Sequence, residues 1–299
     1  MKKLVSVVIT THNREARILK EAIDSVIEQT YTPIELLVIN DSPEYEGRKE
    51  IDELINSYRK DIIYRINPNS GANISRNFGA NLASGEYLSF LDDDDYWDKT
   101  RIEKIVSELN KGVDVVYHDI IMFNEKETRR IDRFPISEDK LLERILYSND
   151  WGGFSSVAMT KAAFIDAGKL DEKVKSQQDT DLWIRLAKKC KVSYIHQPLT
   201  FYRISNDAIS SNENKKLEGL MYLLNKYNDL YLKYQNSKSR KLRDELILFT
   251  KNGWFGSGYV IFNELQKCKG YIYAVCIFVF GLLKFVAVKL KIKKAGKEE

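Results

Sequence analysis

The sequence predicts an α/β fold, a mostly parallel sheet flanked by helices, followed by a helical C-terminal extension. Three observations carry that expectation. Short runs rich in Val, Ile, Leu, Tyr and Phe, each closed by polar or turn residues, alternate with longer stretches whose apolar residues recur at helical spacing. An alternation of that kind requires a parallel sheet covered on both faces, because each crossover returns the chain through a helix. The third is bulk: 299 residues, 43% apolar and 30% charged, suffice for one large domain with an appendage and a real core.

The elements follow in order. Residues 3–10 (KLVSVVIT) read as a first strand. The N-terminal apolar run is too short and too rich in β-branched residues for a signal peptide, and it meets His12-Asn13-Arg14 where a cleavage site would need small residues. Strands are expected at 34–39, 62–66 and 86–91, separated by helical patterns at 14–30, 46–60 and 73–84. A helix near 99–111 and a strand at 113–118 come next. The charged stretch 119–150 reads as irregular or partly helical. Residues 151–160 read as a loop entering a strand, 161–167 and 179–189 as helices, 192–205 (VSYIHQPLTFYRIS) as a strand pair, and 215–266 as helical.

A net charge of +4 over this length gives no reason to expect nucleic acid as a partner. Cys190, Cys268 and Cys276 are odd in number and lack CxxC spacing, so neither a disulfide framework nor a zinc site is indicated, and a reducing cytoplasm is expected.

In open sheets of this type, ligands bind outside the carboxyl ends of the strands. The first strand ends in Thr10-Thr11-His12-Asn13-Arg14, the second in Asn40-Asp41-Ser42, and the fourth in the run Asp92-Asp93-Asp94-Asp95. Four adjacent carboxylates repel one another. A solvated acidic loop, with Asp95 or Asp98 capping the next helix, is the simplest account. A calcium loop is excluded by the missing D-x-[DN]-x-[DN]-G spacing. A Mg²⁺ or Mn²⁺ site shared with a diphosphate suits the run better, since hard cations take one or two carboxylates and fill the remaining positions with phosphate oxygens and water.

SVVITTHNRE, Asp41, NSGANISRNFGANLASGEYLSFLDDDDYW and QQDTDLWIRLA, in that order and spacing, resemble the family 2 glycosyltransferases with the GT-A fold, enzymes of bacterial-type surface glycan synthesis. The resemblance covers roughly residues 3–210. It implies that Asp92, Asp93 and Asp94 stand at the family's D-x-D, with Asp92 toward the donor's ribose or sugar and Asp92 and Asp94 at the metal, Mn²⁺ or Mg²⁺. It further implies that Asp41 contacts the uracil, that Thr10, Thr11, Asn13 and Arg14 wrap the nucleoside, and that Arg76 projects toward the donor phosphates. Arg203 is the phosphate candidate of the segment that closes over the diphosphate, where His196 is the weaker choice.

Sugar transfer needs a base for the acceptor hydroxyl. The family places an aspartate after a glutamate there, and this sequence has Gln178-Asp179. The resemblance therefore implies Asp179 as the base, with Asp181 second and helix capping by Asp179 as the structural alternative. Gln178 can orient an acceptor but cannot share charge. Trp151, beside Gly152-Gly153, is a candidate aromatic face for an acceptor sugar.

Residues 271–288 are apolar apart from Lys284, and Lys289, Lys291, Lys293, Lys294 and Lys297 follow. At about 1.5 Å per residue the run reaches roughly 27 Å, borderline for a bilayer. A buried core helix is one reading. A span would carry the lysines across the membrane, so an interfacial helix on the cytoplasmic face is expected. The expected domains are 1–210 catalytic, 211–266 helical and 267–299 membrane-associating. The function expected is inverting, metal-dependent transfer from a nucleotide sugar, UDP-linked, to a glycan or lipid-linked acceptor. A catalytically idle sugar-nucleotide binder and a nucleotidyltransferase are the alternatives, although the latter would want a Gly-rich phosphate loop that SVVITTHNRE lacks.

Overall fold

The computed structural model describes residues 2–58, 61–67, 71–204 and 212–295, the last five by backbone alone. Positions 69 and 70 of the NSGANISRNFG motif lie outside the described residues. Contacts divide the chain into two compact units, one of residues 1–142, 149–174 and 178–206, the other of 143–148, 175–177 and 207–299.

The first unit opens with β1 (Val5–Thr11), α1 (Ala16–Ile27), β2 (Ile34–Asn40), α2 (Arg48–Ser57), β3 (Ile62–Ile66), α3 (Ala72–Leu82) and β4 (Tyr87–Asp92). Each expected strand and helix up to this point is present within a few residues. It continues with β5 (Tyr96–Trp97), α4 (Arg101–Leu109), β6 (Val115–Phe123) and β7 (Thr128–Ile131). Helix α5 (Glu138–Ile145) leads toward a 3-10 turn (Phe154–Ser156), and β8 (Val157–Thr160), α6 (Lys161–Asp166), α7 (Gln178–Ala187) and β9 (Val192–Arg203) follow.

The strands order as β3-β2-β1-β4-β8-β6-β9-β5, with β7 paired to β6. The β3-β2-β1-β4 half is parallel. β8 runs antiparallel to both β4 and β6, whereas β6 and β9 are parallel. Val5, Val7, Ile9, Leu36, Val38 and Leu91 meet Leu19, Ile23 and Val26 of α1 in the main core. Those three lie at the i, i+4, i+7 spacing that lines one helix face. On the opposite face α3 approaches closely, because a Cβ at Gly79 would fall 2.5 Å from Val8 Cγ1.

Two expectations need correcting. The stretch 119–150 is partly helical, as expected, in α5, but the end of β6 and all of β7 stand where an irregular segment was expected; the charges of Thr128–Ile131 mark an exposed edge strand. Residues 192–203 form one strand, not a pair, with the irregularity at Gln197-Pro198 absorbed by register shifts around Asp119 of β6.

The second unit is helical: α8 (Glu213–Lys226), α9 (Asn228–Lys233), α10 (Gln235–Lys251), α11 (Phe255–Lys269) and α12 (Tyr271–Ala295). Leu220, Leu223, Leu242, Leu246, Phe249, Ile261 and Leu265 are among its buried side chains.

Candidate active site

Parallel register fixes where the strands stop. Thr10 of β1 lies opposite Ile39 of β2 and Asp92 of β4, and Thr11 lies opposite Asn40. The three polar strand ends therefore meet at one edge of the sheet, as their sequence positions predict. The loop after β1 is held by Ser42, whose hydroxyl accepts from Asn13 N at 2.8 Å while Asn13 itself takes a φ of +49°. Asp41 is buried, and its Oδ2 accepts from Gly71 N at 2.9 Å, which joins the end of β2 to the start of α3. Neither Asn73 nor Ser75 caps α3; Asn73 Nδ2 instead donates to the carbonyls of Asp171 and Val174.

The four aspartates have four environments. Asp92 pairs with Arg76, which emerges from α3 and stacks 4.4 Å from the Phe154 ring centroid. Asp93 turns inward, accepting from His12 N at 3.3 Å and from Arg14 Nε at 2.9 Å. Burial pushes its carboxyl up, and Arg14 offsets part of the rise. Asp94 receives Arg14 Nη2 at 3.1 Å, yet burial and the carboxylates of Asp93 and Asp92 push it up to about 6. Asp95 is wholly buried and accepts from Arg203 N at 2.9 Å, so it serves the backbone of β9 and caps no helix. Asp98 accepts from Thr100 N ahead of α4.

Among these carboxylates, Asp92 and Asp94 keep side chains 27% and 18% exposed, against 8% for Asp93. They are the two open to a ligand. Two guanidinium groups, Arg14 and Arg76, face three carboxylates in this turn, and the raised Asp94 reflects burial first and the neighbouring Asp93 and Asp92 second. An all-oxygen donor set with uncompensated charge fits Mg²⁺ or Mn²⁺.

Arg203 places its guanidinium over the Phe123 ring, donating from Nε to Asp94 O at 3.0 Å and from Nη2 to Glu21. The neighbouring Tyr202 connects distant parts of the sequence. Burial pushes its phenol up, and the carboxylates of Asp95, Asp92, Asp94 and Asp179 push it further. Asp179 thus shares one electrostatic environment with the aspartate run 85 residues earlier.

Asp179 occupies the first turn of α7, where Oδ1 accepts from Thr180 N and Oδ2 from Asn149 Nδ2, both at 2.7 Å. The Asn149 carbonyl in turn accepts from Arg133 Nη1 at 3.2 Å. Burial lowers the Arg133 guanidinium, and Asp150, Asp119 and Asp179 oppose that shift. Gly152 keeps this corner open: its φ is +83°, and a Cβ there would fall 2.4 Å from Arg133 Nη2. Gln178 precedes Asp179 in the same turn, and Asp181 is buried against Arg185.

Trp151 is completely buried, packed against Tyr117 and Trp183, and shows no ring face to solvent. The structure therefore makes it a core residue and not an aromatic face open to a sugar. His196 is exposed, 2.7 Å from the Tyr194 hydroxyl and 3.1 Å from Asp119. Asp119, Asp132 and His196 bring potential metal-ligand atoms within 4.8 Å of one another. Buried Asp119 already accepts from Arg133 N, Tyr194 Oη and Arg130 Nη2, so this network is compensated without a cation.

Sequence reading places Ser42 among the polar strand ends but misses Asn149, Arg133 and Ser155. The Ser155 hydroxyl accepts from Asp92 N at 3.1 Å, and its carbonyl accepts from Trp97 Nε1 and Thr200 Oγ1. Lone Ser, Asn and Arg residues carry no local signal of such roles; only long-range contacts, Ser155 with Asp92 of β4, Asn149 with Asp179 of α7 and Arg133 with Asp119 of β6, create them.

Residues 6–167 match the model of glycosyl transferase family 2. An uncharacterized glycosyltransferase of Methanocaldococcus jannaschii is 32% identical over 213 residues, 69% of this chain and 72% of that one. The putative teichuronic acid biosynthesis glycosyltransferase TuaG of Bacillus subtilis is 27% identical over 222 residues, 72% of this chain and 84% of that one. Residues 1–349 of S. aureus TarS, solved in complex with UDP-GlcNAc, superpose with a TM-score of 0.66 at 15% identity, covering 97% of this chain and 92% of that one. Against the longer TarS chain the coverage is 55% of that protein.

Proposed function

Because the chain belongs to glycosyl transferase family 2, we propose that it transfers a sugar from a UDP-linked donor to a hydroxyl of a glycan or lipid-linked acceptor, with inversion at the anomeric carbon. The observation that carries this reading is the meeting of the polar ends of β1, β2 and β4 at one edge of the sheet, where Thr10 lies opposite Asp92 and Thr11 opposite Asn40. Asp92, Asp94 and Asp179 all act on the Tyr202 phenol, which supports a shared site for donor-side and acceptor-side carboxylates. The UDP-GlcNAc bound by TarS and the polysaccharide role named for TuaG support the choice of donor and product class.

Asp179 takes the proton of the acceptor hydroxyl as its oxygen attacks the anomeric carbon. The bond from that carbon to the diphosphate oxygen breaks, and UDP leaves with the bonding pair. Asn149 holds Asp179 in place, and Gln178 orients the acceptor as a neutral hydrogen-bonding group. Trp151, closed to solvent, supports the acceptor side from behind through its packing on Tyr117 and Trp183. On the donor side, Asp41 contacts the base, and Thr10, Thr11 and Asn13 form the wall of the nucleoside pocket. Asp92, Asp93, Arg14, Arg76 and Arg203 surround the sugar and diphosphate. Asp94, with Asp92, would hold Mn²⁺ or Mg²⁺, and the bound cation supplies Lewis-acid stabilisation of the leaving diphosphate.

The catalytic role belongs to residues 1–210 in this reading, with 211–266 a helical extension. Residues 267–299 attach the chain peripherally to the cytoplasmic membrane face, which suits a lipid-linked acceptor.

A panel of nucleotide sugars, assayed for UDP release with Mn²⁺ and again after EDTA, tests the proposal. Turnover on one UDP-sugar, lost with EDTA and restored by Mn²⁺, is expected. Turnover on no donor, with UDP-sugars still raising the melting temperature, would instead favour the idle binder.

A further inference from the structure

Helix α12 carries a 20-residue apolar stretch, Tyr271–Leu290, of mean hydropathy 2.3, only 11% of it buried. Its packing is one-sided. Gly281 lies so close to α10 that a Cβ there would fall 2.8 Å from Thr250 Cβ. Phe285 packs over Gly253, just past the end of α10, and the Arg243 guanidinium of α10 interacts with the Tyr273 phenol. From Arg243–Tyr273 to Gly253–Phe285 the two helices run side by side in one direction, a distance of about 18 Å along α12. Helix α11 covers an adjacent side, with Phe262 against Tyr271 and Phe278, and Phe255 against Phe285.

The opposite side is bare. Ile272, Val279, Leu283, Val286 and Leu290 are 80%, 45%, 63%, 50% and 57% exposed. At 100° per residue they fall on a single stripe, while Lys284 and Lys289 fall to its two flanks. Crossing a bilayer would draw α10 into the hydrocarbon beside α12. Helix α10 carries Arg243 and Asp244, with side chains 38% and 50% exposed, and exposed Lys251. Charged side chains at that depth are costly and need internal partners. Lying in the membrane plane avoids the cost: the stripe enters the acyl boundary, and the charges stay at headgroup level.

We propose that α12 docks in the plane of an anionic bilayer through the Ile272–Leu290 stripe and does not cross it. The proposal deepens the membrane attachment assigned above and rests on it. Charge complementarity selects the lipid. Lys284 and Lys289 flank the stripe, Lys267 and Lys269 end α11, and the sequence continues with Lys291, Lys293 and Lys294. Each lysine at an anionic surface strengthens binding by about fivefold.

The test adds the full chain to preformed phosphatidylcholine vesicles with and without phosphatidylglycerol and measures co-sedimentation. Binding at least about tenfold tighter with phosphatidylglycerol is expected. Leu283→Glu and, separately, Val279→Glu weaken it at least about tenfold while the melting temperature holds, since both positions face outward. A variant carrying Cys190→Ser, Cys268→Ser, Cys276→Ser and Lys294→Cys is labelled by an impermeant maleimide in intact vesicles as fully as after detergent. Protection of that thiol until detergent is added means the helix crosses, and overturns the proposal. So does unweakened binding by both glutamate variants. Failure to bind vesicles, together with a dimer that Leu283→Glu dissociates, assigns the stripe to a second copy and also overturns it. None of these readouts involves sugar transfer, so failure of the catalytic reading leaves the test intact.

Discussion

Removing one hydroxyl beneath the aspartate run tests whether that turn is held from β8's side of the sheet. The Ser155 hydroxyl accepts from Asp92 N at 3.1 Å and faces the buried Asp95 carboxyl, where it offsets part of the rise that burial and the carboxylates of Asp92 and Asp94 impose. Ser155→Ala leaves the Asp92 N–H without its acceptor and leaves Asp95 with Arg203 N alone of the two donors that favour its carboxylate, at a residue only 2% exposed. An unsatisfied buried polar group costs about 1–3 kcal/mol, so a loss near 2 kcal/mol is expected. For a chain of this size that lowers the melting temperature by roughly 3 °C. Freed from this anchor, Asp92 and Asp94 lose their fixed position at the end of β4, and turnover falls by about 10–100-fold. Differential scanning calorimetry and a UDP-release assay read the two effects. A variant that melts and turns over like the parent would refute the reasoning.

Asn149→Ala removes the amide that donates to Asp179 Oδ2. The base loses a positioning contact, so kcat falls by about 10-fold while donor affinity holds; a parental kcat would remove Asn149 from the site. Burial, with Asp114 and Asp166, pushes the Cys190 thiol up to about 11. In a Cys268→Ser, Cys276→Ser background its alkylation rate keeps rising to about pH 11, because only the thiolate reacts; levelling off near the ordinary thiol value would contradict that environment.

Up to β4 the fold is legible because periodicity speaks there: buried parallel strands are continuous apolar runs, and α1 carries one apolar face. The meeting of Thr10, Asp41 and Asp92 follows from the rule that parallel strands end at a common edge. Beyond residue 112 the strands β6 and β8 and the helices α6 and α7 are legible in the same way, but two local signals mislead. Arg129 and Arg130 make β7 look like a loop because an edge strand needs no apolar face, and Pro198 makes one long strand look like two. Trp151 invites reading as a sugar platform, yet it is enclosed by Tyr117 and Trp183, residues brought to it by β6 and α7. Ser155 and Asn149 stay invisible for the same reason: their partners lie 63 and 30 residues away in sequence.

The central claim is that Asp179 takes the acceptor's proton at a site whose donor side is built from the ends of β1, β2 and β4. Asp179→Asn keeps the size and one acceptor oxygen of the side chain and removes its basicity. With a turnover-competent UDP-sugar in hand, the most direct measurement pairs the transfer rate of this variant with its donor affinity. A rate about 10²–10⁴-fold below the parent, with donor affinity unchanged, is what this assignment predicts. Transfer at a near-parental rate by a variant that binds donor normally would contradict it.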